Sequence, residues 1–190
     1  MNALARLVLW KLGLAPVAPW AAAGETEAMG RHAAGKKRLA EIGVWEGGTT
    51  RVLRQVMSPD GVLYAIDPFP AGRLGLSHQL PIAHGEVNRI RNGRVVWIRQ
   101  TGEAAARDPR VAAARFDFVF IDSDHTFEGL RADWSAWAPL AADIVALHDV
   151  IGSEAQGSVR FAREHIFTDA RFRRIEEVGC LAILQRRDAS

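Results

Sequence analysis

The sequence predicts a single α/β domain built on a doubly wound, mostly parallel sheet. Apolar runs alternate along the chain with helical patterns, which is the order produced when each helix crosses between parallel strands. The first apolar run, at 39–44, leads into a glycine-rich turn and then into a helical pattern at 51–57. The last two runs, at 172–177 and 181–185, are too close for a crossover helix. We therefore expect an antiparallel hairpin at one edge of the sheet.

The remaining elements follow from the same periodicities. Further strands are predicted at 62–67, 95–99, 116–121 and 143–147. Further helices are predicted at 25–34, in a segment ending at 90, from 101 onward, at 126–137 and at 158–167. In the helix at 126–137, Phe127, Leu130, Trp134 and Trp137 form an apolar stripe, which indicates core packing. Residues 4–14 are predicted to form an amphipathic helix that packs on the domain or on a partner.

Length and composition restrict the class of protein. The 190 residues suffice for one domain with a full core, and we expect an N-terminal helical segment at 1–35 and the main domain at 36–190. A formal net charge of +2 gives no argument for a nucleic-acid partner. The apolar segment 4–14 is too short to span a bilayer. We prefer a cytoplasmic enzyme to a secreted one with a signal peptide ending near 21–23. The single cysteine, Cys180, is expected to be a packed thiol.

The glycine-rich turn and an acid further along the chain indicate a nucleotide-like ligand. Gly43 and Gly47 allow bare backbone to approach a ligand at the end of the first strand. Asp67 ends the second strand 24 positions beyond Gly43, at the spacing of an acid that binds ribose hydroxyls. Glu41 and Glu46 beside the turn disfavour a pyrophosphate and suit a ligand with an amino group and a sulfonium. A nicotinamide-dependent oxidoreductase is the alternative, but the Gly-x-Gly-x-x-Gly pattern is absent.

This pattern resembles the cofactor motif of class I S-adenosylmethionine-dependent methyltransferases. The string EIGVWEGGTT, with FDFVFIDSDHTFEGLRADWSAW and IVALHDV downstream, is similar to small-molecule O-methyltransferases grouped with cephalosporin- and macrolide-sugar-modifying enzymes. The resemblance covers 38–150 and implies a seven-stranded Rossmann-like sheet, order 3-2-1-4-5-7-6, with S-adenosylmethionine as cofactor. The residues that it implies for cofactor binding are Glu41, Gly43, Trp45, Gly47, Asp67, Glu103 and Asp122. Glu103 would read the adenine edge, or would only favour the N-terminal end of its helix.

Polar residues at the ends of two neighbouring strands predict a metal site. Asp122 follows the strand at 116–121, and His148 and Asp149 follow the strand at 143–147. The carboxyl ends of adjacent parallel strands lie side by side, and carboxylates from both would suit Mg²⁺. The resemblance implies an acid on the first strand and an acid pair on the next. Asp122 and Asp149 match, but His148 stands in the place of the first acid of the pair, which suits a softer divalent ion better.

His125 is the expected general base for methyl transfer to a hydroxyl. Histidine ordinarily titrates near neutral pH, and the sugar-modifying relatives imply a base three residues after the metal acid. Asp124 is the second candidate, and helix capping ahead of Thr126 is the alternative for this cluster. We expect transfer to a hydroxyl of a small molecule, a sugar being one candidate, and a homo-oligomer is one candidate assembly. A non-catalytic scaffold of the same fold is the other alternative. The candidate substrate walls are the loop after Asp67, the first 35 residues and the segment after Asp149. His78 and His84 fall in or near 74–81 of that loop, and plain surface residues are the alternative for both.

Overall fold

The fold is a seven-stranded sheet with helices on both faces. The computed structural model describes residues 3–72, 77–153 and 156–187. The strands are β1 (Arg38–Ile42), β2 (Val62–Ile66), β3 (Arg94–Ile98), β4 (Phe116–Ile121), β5 (Ala141–Leu147), β6 (Phe172–Val178) and β7 (Leu181–Arg186). Their order is β3-β2-β1-β4-β5-β7-β6, with β7 antiparallel to both β5 and β6. The predicted strand order and edge hairpin are confirmed.

The helices connect these strands in the predicted alternation. They are α1 (Ala3–Lys11), α2 (Ala23–Ala33), α3 (Gly48–Val56), α4 (Gln79–Val87), α5 (Gly102–Ala106), α6 (Pro109–Ala112), α7 (Phe127–Trp137) and α8 (Gly157–Phe161), which continues into a π-helical turn at Ala162–Ile166. Two helices differ from expectation. Helix α6 was not predicted, and α4 begins at Gln79, inside the stretch predicted to be a substrate-wall loop.

The central strand β4 shows why this chain buries both faces of its sheet. Its side chains alternate, so that Val119 and Ile121 enter one apolar cluster while Phe118 and Phe120 enter the opposite one. The first cluster contains fully buried Trp137 of the predicted apolar stripe of α7, and the second packs the strand against α2 and α3. Continuous apolar runs are therefore required here, because a parallel strand has no solvent-facing side.

The N-terminal helices are tied to the domain by polar contacts. Arg6 of α1 pairs with Glu46 in the glycine-rich turn, and the Trp10 Nε1–H donates to Glu86 Oε1 of α4 at 2.7 Å. The opposite side of α1 exposes Leu4 and, one turn later, Val8. No helix within the described ranges is both long enough and apolar enough to cross a membrane.

The loop after Asp67 requires a correction. Residues 73–76 of the proposed substrate wall lie outside the described residues. His84 does not belong to a wall, because it lies within α4 and stacks on Trp97 with ring centroids 4.1 Å apart. Burial lowers the pKa of His84. His78 immediately precedes α4 and does border a cavity, described below.

Candidate active site

Two adjoining cavities open at the carboxyl ends of the parallel strands. The larger one has a volume of about 1000 Å³ and the smaller one about 510 Å³. The residues that line both are Gly43, Trp45, Asp122 and Ser123. The cavities are therefore neighbouring parts of one site, with the glycine-rich turn and the end of β4 as their common wall. This is the edge at which open α/β sheets bind ligands.

Asp67 holds the glycine-rich turn in its shape. Its Oδ2 accepts from the backbone N–H groups of Val44 at 3.0 Å and Trp45 at 2.9 Å, and its Oδ1 accepts from Phe69 N at 2.6 Å. Trp45 has a φ of 54°, a left-handed conformation that costs energy for a residue with a bulky side chain. The two hydrogen bonds to the turn offset that strain. The shape of the glycine-rich turn thus depends on Asp67, the same acid that the sequence spacing predicts to bind the ribose hydroxyls.

The two glycines of the motif serve close packing of the chain. Gly43 has a φ of 93°, and a Cβ there would overlap the backbone carbonyl of Asp122 on the neighbouring strand. Gly47 has a φ of 81° and caps α3, and a Cβ there would meet the backbone of Ala83 in α4 at 2.9 Å. Gly43 borders both cavities, whereas Gly47 borders neither. A side chain at Gly47 would therefore disturb α4 before it disturbed a ligand.

Glu41 is an unpaired acid beneath the turn. It is fully buried in β1, and neither carboxyl oxygen has a hydrogen-bond partner among the residues that the structure describes. Burial raises the pKa of Glu41 well above its ordinary value; the nearby Thr50 opposes this shift, and the charges of Asp122 and Asp67 add to it. These effects favour the protonated carboxyl group. It lies below the cavity surface, so any effect on a ligand passes through the turn.

The smaller cavity has the chemistry of a nucleoside site. Its apolar walls include Ile66 and Pro68, and Asp67 and the exposed Glu103 at the start of α5 lie at its polar edge. Glu103 Oε1 accepts from Arg107 at 2.8 Å, so its position in the first turn of the helix also has a structural reason. A carboxylate has about four acceptor sites, and the three N–H donors on Asp67 leave room for one hydroxyl. The residues present fit S-adenosylmethionine on this count.

Asp124 forms a local turn ahead of α7, whose N-cap is Thr126. Its Oδ1 accepts from the Thr126 N–H at 2.9 Å, and its side chain packs against Gly129 in α7. It borders the smaller cavity and not the larger one. The capping alternative is therefore favoured for Asp124, whereas His125, the next residue, borders the larger cavity.

Four side chains from the ends of β4 and β5 meet in the larger cavity. His125 Nδ1 lies 2.8 Å from Asp149 Oδ2, and its Nε2 lies 3.8 Å from Asp122 Oδ1. His148 Nδ1 lies 3.3 Å from Asp122 Oδ1 and 3.5 Å from Asp149 Oδ2. The sequence prediction that these residues would lie side by side agrees with this geometry. Asp149 has a φ of 54°, and Ser158 Oγ donates to its carbonyl at 2.6 Å, which helps to hold this strained residue.

The surroundings of His148 are those of a candidate metal ligand. Its side chain is 9% exposed, and the buried Nδ1 makes no well-formed hydrogen bond to any residue that the structure describes. Burial lowers the pKa of His148, but the neighbouring carboxylates of Asp122, Asp149 and Glu25 outweigh it and raise the pKa to about 9. Two carboxylates facing one imidazole require a positive charge between them. A proton or a divalent cation can provide it, and the donor set of two oxygens and one nitrogen fits a cation.

Three residues of this region were missed by the sequence analysis. Glu25 of α2 contacts His148, Trp20 borders the larger cavity, and Asp133 borders the smaller one. A signal existed only for Asp133, which is an acid between Leu130 and Trp134 of the apolar stripe. Burial raises the pKa of Asp133, and its Oδ2 accepts from Ser123 Oγ. Glu25 and Trp20 lie far from the motifs in the sequence and gave no signal.

Cys180 lies in the turn immediately before β7, beside the same cluster. Its thiol is 3.1 Å from Glu25 Oε1 and 3.4 Å from His148 Nε2. Burial raises the pKa of Cys180, and the neighbouring carboxylates of Glu25 and Asp149 bring it to about 12. The residue is therefore a neutral thiol, as expected, but it borders the cluster at the sheet edge and not the apolar core.

The strand order with an antiparallel β7, together with cavities built on a glycine-rich turn and strand-end acids, defines the class I S-adenosylmethionine-dependent methyltransferases. Residues 40–150 match a family model described as a methyltransferase domain, Methyltransf_24. This match covers more than half of the chain, and the chain belongs to that family. A search of curated proteins gives no match.

Solved structures of similar fold agree with this assignment. A Corynebacterium glutamicum protein superposes with a TM-score of 0.72 at 16% identity, covering 99% of this chain and 91% of that one. An O-methyltransferase from Bacillus cereus in complex with SAH gives 0.66 at 18%, covering 97% and 89%. The O-methyltransferase TomG from Streptomyces achromogenes, involved in tomaymycin synthesis and in complex with SAM, gives 0.61 at 17%, covering 98% and 90%. At these identities the likeness concerns the fold.

Proposed function

We propose that this methyltransferase transfers a methyl group from S-adenosylmethionine to a hydroxyl of a small, neutral molecule, with His125 as general base and a divalent cation at Asp122, His148 and Asp149. The observation that carries the proposal is the contact of His125 Nδ1 with Asp149 at 2.8 Å, beside Asp122 on the wall common to both cavities. A base oriented by an acid, next to the cofactor turn, is what hydroxyl methylation requires.

The smaller cavity is the proposed place of the adenosine. Asp67 would accept from a ribose hydroxyl, Glu103 and its backbone neighbours would contact the adenine edge, and Gly43 and Trp45 would lie against the ligand. S-adenosylmethionine, when bound, supplies the methyl group as an electrophile. Glu41 and Gly47 contribute by holding the turn, since neither borders a cavity.

His125 is the proposed base because of the tautomer that Asp149 selects. An Nδ1–H donated to Asp149 leaves the Nε2 lone pair available in the larger cavity. The side chain of His125 is 46% exposed, so an acceptor can reach it. Asp124 is less suited to this role, since its carboxylate accepts from the Thr126 N–H just ahead of α7 and does not border the larger cavity.

The acceptor side of the larger cavity has an aromatic wall. Trp20 is 73% exposed and Trp45 47% exposed, and their rings meet edge to face with centroids 6.2 Å apart. Exposed indole faces suit a ring, either a sugar or an aromatic one. Arg6, the guanidinium that borders this cavity, is paired with Glu46. It is therefore not free to bind an anionic acceptor, which favours a neutral one.

The decisive experiment combines metal removal with a base variant. The assay is transfer of labelled methyl to a panel of hydroxylated sugars and phenols. EDTA should abolish transfer and Mg²⁺ or Mn²⁺ should restore it. His125→Ala should lower the rate by about 10²–10⁴-fold, the contribution of a positioned base, without changing the affinity for S-adenosylhomocysteine. His165→Ala, which removes an exposed histidine that borders neither cavity, is the matched control.

Each part of the proposal can fail separately. Full activity in EDTA with an inactive His125→Ala variant would remove the metal and keep the base. Normal turnover of His125→Ala would remove the base. Binding of S-adenosylhomocysteine without transfer to any acceptor would favour the non-catalytic scaffold, and tighter binding of NADH would favour the oxidoreductase.

The proposal also includes a setting for the enzyme. We propose a cytoplasmic location, and the formal net charge of +2 supports a small-molecule acceptor over nucleic acid. The division into a helical segment at 1–35 and a domain at 36–190 belongs to the proposal as well. A homo-oligomer would cover exposed apolar residues of α1 such as Leu4 and Val8, and light scattering of the purified protein tests it.

A further inference from the structure

Glu25 is a buried acid in the helical segment that precedes the sheet. It lies in the first turn of α2 and is 4% exposed. Its Oε1 accepts from Cys180 N at 2.8 Å, and its Oε2 accepts from Ala22 N at 2.6 Å. The same Oε2 lies 3.3 Å from Nε2 of His148. Helix α2 thus places one carboxylate against Nε2, on the side of the His148 ring that is turned away from the larger cavity.

The chain makes space for this carboxylate at the turn between β6 and β7. Gly179 has a φ of 58°, and a Cβ at this position would overlap the carboxyl group of Glu25. The next residue, Cys180, then donates both its N–H and its thiol to Oε1. The position of the Glu25 side chain is therefore fixed by backbone groups on two separate segments, and Glu25 can in turn fix a neighbour.

That neighbour, His148, has one ring nitrogen on each side. Nε2 faces Glu25, and Nδ1 faces Asp122 at 3.3 Å and Asp149 at 3.5 Å. Nδ1 is buried and lacks a well-formed hydrogen bond within the described part of the chain. A carboxylate acceptor at Nε2 selects the tautomer with the proton on Nε2, which leaves the Nδ1 lone pair directed between the two strand-end acids. Histidine ligands of metal ions generally donate their other ring N–H to such a partner.

We propose that Glu25 is a positioning residue for the metal site, holding His148 through Nε2–H so that Nδ1 is the ligand that joins Asp122 and Asp149. The inference rests on the proposed metal-assisted function and deepens it. It also gives the N-terminal helix α2 a role in the chemistry, because the acid that orients the ligand comes from outside the sheet.

A cation between Glu25, His148 and Cys180 is the competing arrangement, since these three side chains also lie close together. It is disfavoured because the oxygens of Glu25 already accept from Cys180 N, the thiol, Ala22 N and His148. A cation there would have to displace these donors. The competing site would use Nε2 of His148, whereas the proposed site uses Nδ1, so the coordinated nitrogen distinguishes them.

The experiment measures metal binding by the full-length protein without reference to turnover. Free Mn²⁺ is followed by electron paramagnetic resonance during titration of the wild type, Glu25→Gln and Glu27→Gln. Glu27 lies on the same helix, is exposed and pairs with Arg31, which makes it the matched control. Glu25→Gln should weaken Mn²⁺ binding by about 10–100-fold, as the loss of such a partner generally does. Glu27→Gln should bind like the wild type.

A second measurement covers the case in which Glu25→Gln does not fold. Nitrogen-15 shifts of the His148 ring in the Zn²⁺-loaded wild type should show a coordinated Nδ1 and a protonated Nε2. Coordination through Nε2 would overturn the inference in favour of the competing site. Unchanged Mn²⁺ affinity in a folded Glu25→Gln variant would refute the positioning role of Glu25. It would not contradict the proposed function. Failure of the wild type to bind Mn²⁺ or Zn²⁺ would instead remove the metal from the proposed function, and the inference with it.

Discussion

Replacing Asp67 should affect the stability of the protein as well as its cofactor affinity. In Asp67→Ala three backbone N–H groups lose their acceptor, and two of them belong to the buried residues Val44 and Phe69. Each hydrogen bond to a charged group contributes about 1.5–3 kcal/mol, and the three share one carboxylate and do not add fully. We therefore expect a loss of about 3–5 kcal/mol in the free energy of unfolding. Loss of cofactor binding in this variant alone would not identify a ribose contact.

Asp67→Asn separates the two roles. The side-chain oxygen of asparagine can still accept from Val44 and Trp45, because both donate to a single oxygen of Asp67. Its amide nitrogen then meets the N–H of Phe69, so one hydrogen bond is lost and the free energy of unfolding should fall by about 1.5–3 kcal/mol. Asp67→Asn should also lose the contact with a ribose hydroxyl. A loss of about 1.5–3 kcal/mol in binding free energy corresponds to about 10- to 150-fold weaker binding of S-adenosylhomocysteine.

Urea unfolding and titration calorimetry measure these two quantities. Asp60→Asn is the matched control, because Asp60 precedes the same strand, is exposed and bonds only to Lys37 and Ser58 among the residues described. It should change neither quantity. Wild-type affinity for S-adenosylhomocysteine in a folded Asp67→Asn variant would refute the ribose role. A stability unchanged by Asp67→Ala would refute its role in holding the turn.

Three further outcomes follow from the N-terminal contacts. Trp20→Ala should raise the KM for the acceptor roughly 2- to 10-fold, from about 0.5–1.5 kcal/mol for an aromatic contact, and leave stability unchanged because Trp20 is exposed. Arg6→Ala leaves the largely buried Glu46 unpaired and should lower the free energy of unfolding by about 3–5 kcal/mol. Burial raises the pKa of Glu25, but its hydrogen bonds outweigh this and lower it from 4.5 to about 2. Its stabilising contribution is therefore present above pH 4.5 and is lost as the pH falls toward 2.

Each of these outcomes has a measurement that can contradict it. Unchanged acceptor kinetics in Trp20→Ala would take the aromatic wall out of the acceptor site. Wild-type unfolding of Arg6→Ala in urea would mean that α1 contributes nothing through this ion pair. For Glu25, the stability gap between the wild type and Glu25→Gln should narrow as the pH falls below 4.5. A gap that is constant or that widens would contradict the assigned direction of the pKa shift.

The order of elements could be predicted from the sequence because it depends on local pattern. The run at 116–121 is buried on both faces apart from the half-buried Asp117, so its other residues had to be compatible with the core, and β4 has the predicted bounds. The boundaries of α4 and the existence of α6 could not be predicted in this way. α6 spans only Pro109–Ala112, too short to show helical periodicity, and α4 has a weakly amphipathic sequence that includes Pro81.

The sequence by itself determined the fold class, the glycine-rich turn and the strand-end residues Asp122, His125, His148 and Asp149, because each of these is set by neighbours in the chain or by the strand that carries it. Only the tertiary structure decided which of them touch and what surrounds them. Glu25 reaches His148 across 123 positions, and Asp67 was expected to bind a ligand but also holds the turn through its backbone. Contacts of this kind depend on how separate segments pack, and local periodicity carries no information about them.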